Sequence, residues 1–464
     1  MSTPAIAPAA PAVTTGLRFT EKLAYGLGDT ASNFYFQAFN LFLFYYYTDI
    51  FGLSAAAVGT MFLFTRILDA VLDPVMGMVA DRTQTRWGKF RPYILWGAIP
   101  YGLAGYAMFT NPALGPEGRL VFAYVTYSLV WVAYTAINIP YSALMGVMSA
   151  SSVDRTSLST YRFVCAFGGA FLIGALTLPL KNALGGDNPA EGFRYTMAIF
   201  AVVSVAMFLF TFARTRERVQ PPADQRASLR EDLASLFSNG PWLVLFFAAF
   251  LTLANVGVRN ASIIYYFKYH VGDESKFTLF SMIGSLAFIA GVFSTRLFLR
   301  YFSRRSLMIG LTSLNALGMG AFFFVDPHAL VVLHALNIFA AFVAGPTPAI
   351  VWSMYADTAD YGEWKFGRRT TGLVFSAAVF AQKIGLAVGT AVLGWLLAFF
   401  DFVPNAVQGE RALFGIKLLF SLLPAALALL SGLAIFFYRL DERQVKAIER
   451  ELAERKAVPV PVPS

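Results

Sequence analysis

Apolar runs of about 20 residues follow one another along almost the whole chain, separated by short polar segments. A run of that length lets a helix cross a hydrocarbon layer of about 30 Å. The pattern predicts twelve spans, at 22–48, 55–81, 92–110, 119–149, 158–182, 194–214, 238–268, 277–299, 305–324, 328–357, 371–399 and 412–438. Helices satisfy their own backbone in lipid, so the fold class expected is an all-α membrane protein. A polar stretch from Arg214 to Leu236, containing Pro221 and Pro222, divides the spans six and six. The organisation expected is a disordered tail over 1–21, a six-helix bundle over 22–214, a linker over 215–237, a second bundle over 238–440 and a solvated tail over 441–464.

A weak internal repeat supports that division. Tyr45-Tyr46-Tyr47-Thr48-Asp49-Ile50-Phe51-Gly52 corresponds, at a constant offset, to Tyr265-Tyr266-Phe267-Lys268-Tyr269-His270-Val271-Gly272, and the same offset sets the basic loop near Arg82 on the loop near Arg304. Two pseudo-symmetric six-helix halves around a midplane cavity are the arrangement of the major facilitator fold.

Composition agrees: 57% of the 464 residues are hydrophobic and 14% charged, poorer in charge than a soluble domain. The net charge of +9 would suit a nucleic-acid partner, but the basic residues gather in the loops after even-numbered spans, as at Arg82, Arg86, Lys89 and Arg91 or at Arg300, Arg304 and Arg305. That asymmetry places those loops and both termini in the cytoplasm, with the chain in the cell membrane, the inner membrane in a bacterium. The single cysteine, Cys165, excludes a disulfide framework within one chain, and residues 1–15 do not resemble a secretory signal.

Ionisable groups inside spans are costly and call for partners. In the second span Arg66, Asp69 and Asp73 share one helix face. Two carboxylates one turn apart in a dry setting require a shared proton, a cation or a basic side chain, which is the chemistry of a coupling site; an ion pair with Arg66 is the structural alternative. In the first span Asp29, Asn33, Gln37 and Asn40 form a polar stripe, suited either to substrate hydroxyls or to joining helices. Tyr134, Thr135 and Asn138 make a polar patch in the fourth span, and Arg162 enters the fifth, facing the cavity or reaching headgroups. The second half supplies Asn255, Arg259, Trp352, Gln382 and Lys383, the last a natural partner for Asp69 or Asp73. Trp352 suits either packing or stacking on a sugar ring. Tyr45 to Tyr47 read as an interfacial belt. The loops holding Asp81 and Arg91, and Asp357, Asp360 and Glu363, read as a cytoplasmic gate pairing across the halves, with Gly77 allowing close packing, or as topology signals alone.

The blocks Lys22-Leu23-Ala24-Tyr25-Gly26, Tyr45 to Asp49, Arg66 to Gly77, Arg86 to Pro92 and Ala356 to Glu363 resemble the glycoside, pentoside and hexuronide cation symporters, the family of the sodium/melibiose symporter. The resemblance implies that Asp69 and Asp73, with Thr135 and Lys383, form the cation-coupling site and that Arg162 belongs to the sugar site. It sets Asn33 and Asn138 where the family has sugar-binding aspartates, Ser142 where it has a tryptophan, and Leu72 where it has an asparagine ligand. These departures put a galactoside preference in doubt, and the lost oxygen donor tilts the reading from sodium towards a proton.

The function expected is therefore cation-coupled symport of a sugar or glycoside by alternating access, with Asp29, Asn33, Gln37, Asn138, Arg162 and Trp352 against the substrate. No cofactor is expected beyond the coupling ion, H+ or Na+, held in the sodium case by Asp69 and Asp73. The partners expected are the carbohydrate, the cation and the lipid bilayer, with the chain a monomer and no nucleic acid bound. A lysolipid carrier of the same fold is the alternative. An enzyme is not expected, since His270, His328 and His334 lack ligand spacing and no nucleophile has a base nearby.

Overall fold

Each expected span is helical in the computed structural model, which describes residues 17–149, 151–218, 234–367 and 371–457. The tail before Leu17, most of the expected linker with Pro221 and Pro222, Arg368, Arg369 and the last seven residues lie outside the described residues. The helix α1 runs over Phe19–Ala38 and continues through π-helical turns at Phe39–Leu43 and Tyr46–Ile50. There follow α2 (Ala55–Arg82), α3 (Arg91–Ala107), α4 (Pro116–Met148), α5 (Ser152–Gly185) and α6 (Pro189–Arg214). The second half holds α7 (Gly240–Val271), α8 (Lys276–Phe298), α9 (Arg304–Phe324), α10 (Leu330–Phe366), α11 (Thr371–Phe399) and α12 (Glu410–Phe436). Ten of these are long and apolar enough to cross a membrane; α1 and α3 are packed among them in the first bundle, against α5 and α6 and against α4 and α6.

Within the second bundle α7 lies against α11 and α12, and α9 against α10 and α12. The halves meet where α2 packs on α11 and α5 on α8. Glycine makes the α11 contacts close. A Cβ on Gly385 would come within 2.3 Å of the Phe250 carbonyl of α7, and one on Gly394 within 2.4 Å of the Ala55 carbonyl of α2. Side chains there would push the helices apart, so α11 is held between α2 and α7, where it brings Lys383 beside Asp69 and Asp73.

The internal repeat is visible in the backbone. Tyr46–Ile50 and Tyr266–Val271 are both π-helical, and each is followed by a glycine at positive φ, Gly52 at 81° and Gly272 at 83°. The two copies face each other at the end of the bundle remote from the termini.

Four expectations change. Tyr45, Tyr46 and Tyr47 are buried between helices and do not form an interfacial belt. Gly77 serves no close packing, because a Cβ there would meet nothing within 4 Å. The first helix starts at Phe19 inside the expected tail, where Glu21 binds Arg218 at 2.5 Å. The carboxy-terminal stretch is not simply solvated: α13 (Glu442–Ala457) buries Val445, Ile448 and Leu452, and Glu451 accepts from the Trp364 indole at 2.7 Å. Apolar residues at i, i+3 and i+7 make one face of α13 a packing surface within a charged sequence.

Candidate functional site

Thr135 of α4 and Lys383 of α11 converge on the two aspartates of α2. The Thr135 hydroxyl donates to Asp69 Oδ1 at 2.6 Å and reaches Asp73 Oδ1 at 3.2 Å. The Lys383 ammonium stands 3.1 Å from Asp69 Oδ2 and bonds directly to Asp73 Oδ2. At Asp69 Oδ2 that contact is close enough for attraction but not aligned as a hydrogen bond, so this buried oxygen has no hydrogen-bond partner. Asp69 is 1% exposed. One ammonium thus serves two carboxylates, and the cluster keeps oxygen lone pairs for one further positive charge. Two carboxylates and a hydroxyl are hard donors, fit for a proton or a small hard cation.

Arg66 does not join this cluster. Among the described ion pairs none links it to Asp69 or Asp73; its guanidinium lies 3.4 Å from the centre of the Trp131 ring and 5.7 Å from that of Phe36. A cation–π stack accounts for its burial, and the expected alternative of an Arg66 ion pair is replaced by the Lys383 pair.

The polar stripe of α1 faces α4 and α5. Arg162 pairs with Asp29 at 3.3 Å and lies over the Tyr141 ring at 5.3 Å, which places its charge inside the bundle and not at headgroups. The Asn33 amide donates to the Asp29 carbonyl at 2.9 Å. Asn138 donates to the Tyr134 hydroxyl at 3.1 Å and leaves its Oδ1 buried without a partner. Gln37, two turns beyond Asp29, lines a cavity of about 420 Å³ between the halves. Trp352 stacks on Phe375 with ring centres 5.7 Å apart, so its face is engaged within the second half.

At the terminal end of the bundle two of the expected gate residues, Arg91 and Asp357, have bonds within their own halves. The Glu217 carboxylate accepts from the backbone N–H groups of Lys89, Phe90 and Arg91 at 2.7 to 2.9 Å, capping α3, while Arg91 donates to the Phe212 carbonyl. Gly88, at a φ of 107°, makes room for that cap, since a Cβ there would meet the carboxylate at 2.5 Å. Asp357 pairs with Arg304 at 2.7 Å, and Asp360 and Glu363 follow it on α10. The side chain of Asp81 lies outside the described residues.

A dense set of bonds joins the halves at the opposite end, where sequence reasoning placed no function. Asp49 accepts from Lys268 at 2.8 Å and from the Tyr269 hydroxyl, and its backbone carbonyl accepts from Asn405. Lys181 pairs with Glu274 at 2.6 Å, and Tyr45 donates to the same carboxylate at 2.9 Å. Thr48 and Tyr265 share a hydroxyl–hydroxyl bond of 2.6 Å. Glu274 lies in the loop before α8. Burial alone would raise its carboxyl, but the hydrogen bond and charge of Lys181, with Tyr45 and Lys268, hold it below the usual glutamate value. The signal available in the sequence was the repeat itself, which pairs Asp49 with Tyr269 and Thr48 with Lys268.

With this geometry in view, the comparisons with known proteins are specific. Residues 24–442 match the model of the MFS/sugar transport protein family. The chain belongs to that family. It is 37% identical to the inner membrane symporter YicJ of Escherichia coli (strain K12), over 95% of this chain and 96% of the relative. It is 33% identical to the isoprimeverose transporter of Lactiplantibacillus pentosus, over 98% and 97% of the two chains. Among solved structures, the D-xylose-proton symporter shares the fold with a TM-score of 0.63 at 15% identity, over 91% of this chain and 98% of that one. The family member described here is thus a membrane transporter of the major facilitator fold.

Proposed function

We propose that the chain carries a sugar or glycoside across the membrane together with a cation, by alternating access, and that Asp69 and Asp73 are where the cation acts. The observation that carries this reading is the convergence of Thr135 and Lys383 on the two aspartates at the contact between halves, with Asp69 Oδ2 left without a hydrogen-bond partner. Binding of a proton or of sodium there competes with Lys383 for carboxylate oxygen and so changes the two ion pairs described between α2 and α11. Asn33, Asn138, Gln37 and the Asp29–Arg162 pair offer donors and acceptors of the kind that sugar hydroxyls need.

The bonds at Asp49 and Glu274 hold the end remote from the termini shut, while at the terminal end Arg91 bonds to Phe212 and Asp357 to Arg304, each within its own half. We read this as the inward-facing state, both termini cytoplasmic, with the chain acting as a monomer without a cofactor. By linkage, sugar raises cation affinity by the factor by which the cation raises sugar affinity. The test is reconstitution in liposomes with a panel of mono- and disaccharides, following sugar-induced pH change against sodium-dependent uptake. One of the two cations is expected to move with sugar; sugar uptake indifferent to both gradients would reject the proposal.

A further inference from the structure

The cavity of about 420 Å³ that Gln37 enters is walled by α1 and α5 on one side and by α7, α8, α9 and α10 on the other. Its volume is that of a small-molecule site. Asparagine, serine, Gln37 and apolar residues make up the wall, and among the described residues Arg259 is the one lining residue with a formal charge. In the first half the arginine facing the polar stripe is neutralised by Asp29. Arg259 is only 6% exposed, and among the described residues no carboxylate reaches it.

Its protein contacts supply one acceptor and two ring faces but no counter-charge. One guanidinium nitrogen donates to the Phe420 carbonyl at 2.5 Å. That carbonyl is free because Pro424, four residues on, has no N–H to offer it, and α12 breaks there at Ser421. A neutral donor could serve that carbonyl as well. The rings of Phe420 and Phe322, 4.0 and 4.5 Å from the guanidinium carbon, favour the cation. A buried charge without a counter-charge is costly, so the remaining edge of Arg259, turned to the cavity, calls for an anion. One turn earlier on α7, Asn255 lines the same cavity at 4% exposure, and its Oδ1 has no partner.

We infer that Arg259 and Asn255 form an anion-receiving subsite, and that the substrate is an acidic sugar whose carboxylate or sulfonate binds Arg259 while a neighbouring hydroxyl donates to Asn255. The inference rests on the sugar-symport reading and narrows its substrate. A guanidinium pairs with such an anion through charge-assisted bonds that a neutral sugar cannot make.

The full chain in liposomes, assayed by counterflow, tests this with probes that differ in charge: D-glucose against D-glucuronate, D-galactose against D-galacturonate, and 6-deoxy-6-sulfoglucose as the sulfonate arm. At least one acidic member is expected to compete about tenfold or more better than its neutral twin in the wild type. Arg259→Gln, which keeps a donor for Phe420, is expected to bring that pair to parity, and Arg259→Lys to retain part of the preference. Because the wild-type comparison needs no variant, a folding defect does not protect the inference. Neutral twins that compete as well as every acidic member would overturn it while leaving sugar transport standing. If no sugar of either charge exchanges, the symport reading falls and the subsite with it.

Discussion

Two zones hold the halves together, and they are built differently. At the end remote from the termini, Asp49 and Glu274 are each satisfied several times over, by Lys268, Tyr269, Lys181 and Tyr45. At midspan a single ammonium, Lys383, serves both Asp69 and Asp73, and Asp69 Oδ2 is left without a hydrogen bond. The first zone is saturated and has the character of a latch. The second is short of donors, so an arriving proton or cation gains bonds there that it would not gain at the latch. A transporter needs both: one contact that is complete in one state, and one whose completion depends on the ion.

If the midspan zone is short of positive charge, removing Lys383 has the largest effect. Lys383→Gln leaves two carboxylates close together in the membrane interior, and breaking a buried pair costs about 3 kcal/mol or more. The variant is expected to unfold at markedly lower temperature in low-salt neutral buffer, and Asp73→Asn in the same chain is expected to restore part of the loss. A thermal-shift cycle over the single and double variants checks this; additive losses would mean that the three groups do not act together.

The latch should respond by shifting state and not by unfolding. Lys268→Ala removes a charge-assisted bond of about 1.5–3 kcal/mol from Asp49, enough to move the open population about tenfold. Spin labels at Asp187 and Val407, in a chain with Cys165 replaced by alanine, are expected to separate in that variant. An unchanged distance distribution would remove Lys268 from the latch.

Acid probes the same zone more gently. The Glu274 carboxyl is held below its ordinary value, so its contribution to closure is fully present above that ordinary value and is lost as pH falls through the lowered one. The label distance is expected to stay constant from neutral pH down to the ordinary glutamate range and to lengthen only below it. Glu274→Gln should remove that acid step.

The smallest effect is expected at α13. Ile448→Asp places a charge in its packing face and should free the helix, seen as faster amide exchange over 442–457, with folding of the rest intact.

Periodicity and cost in lipid made much of this legible. Twelve apolar runs, the carboxylate pair on one face of α2 and a lysine at half-span in α11 are all local facts, and lipid leaves such charges few ways to be satisfied. The latch was not legible, because Asp49, Lys268, Glu274 and Lys181 sit near helix ends, where charge is cheap and carries no alarm. Tyr45 to Tyr47 misled for a related reason: aromatic residues near a span end suit either an interface or a core, and only the opposing copy of the repeat decides. Burial of α13 through three apolar residues was hidden by the charges around them. That Arg66 stacks on Trp131 was equally beyond the sequence, since the ring comes from another helix.

Whether the Asp69–Asp73 pair couples ion to sugar is decided by Asp73→Asn in membrane vesicles. This variant is expected to exchange sugar across the membrane but no longer to accumulate it when an ion gradient is imposed. Accumulation equal to the wild type would mean that the ion acts somewhere other than at these two aspartates.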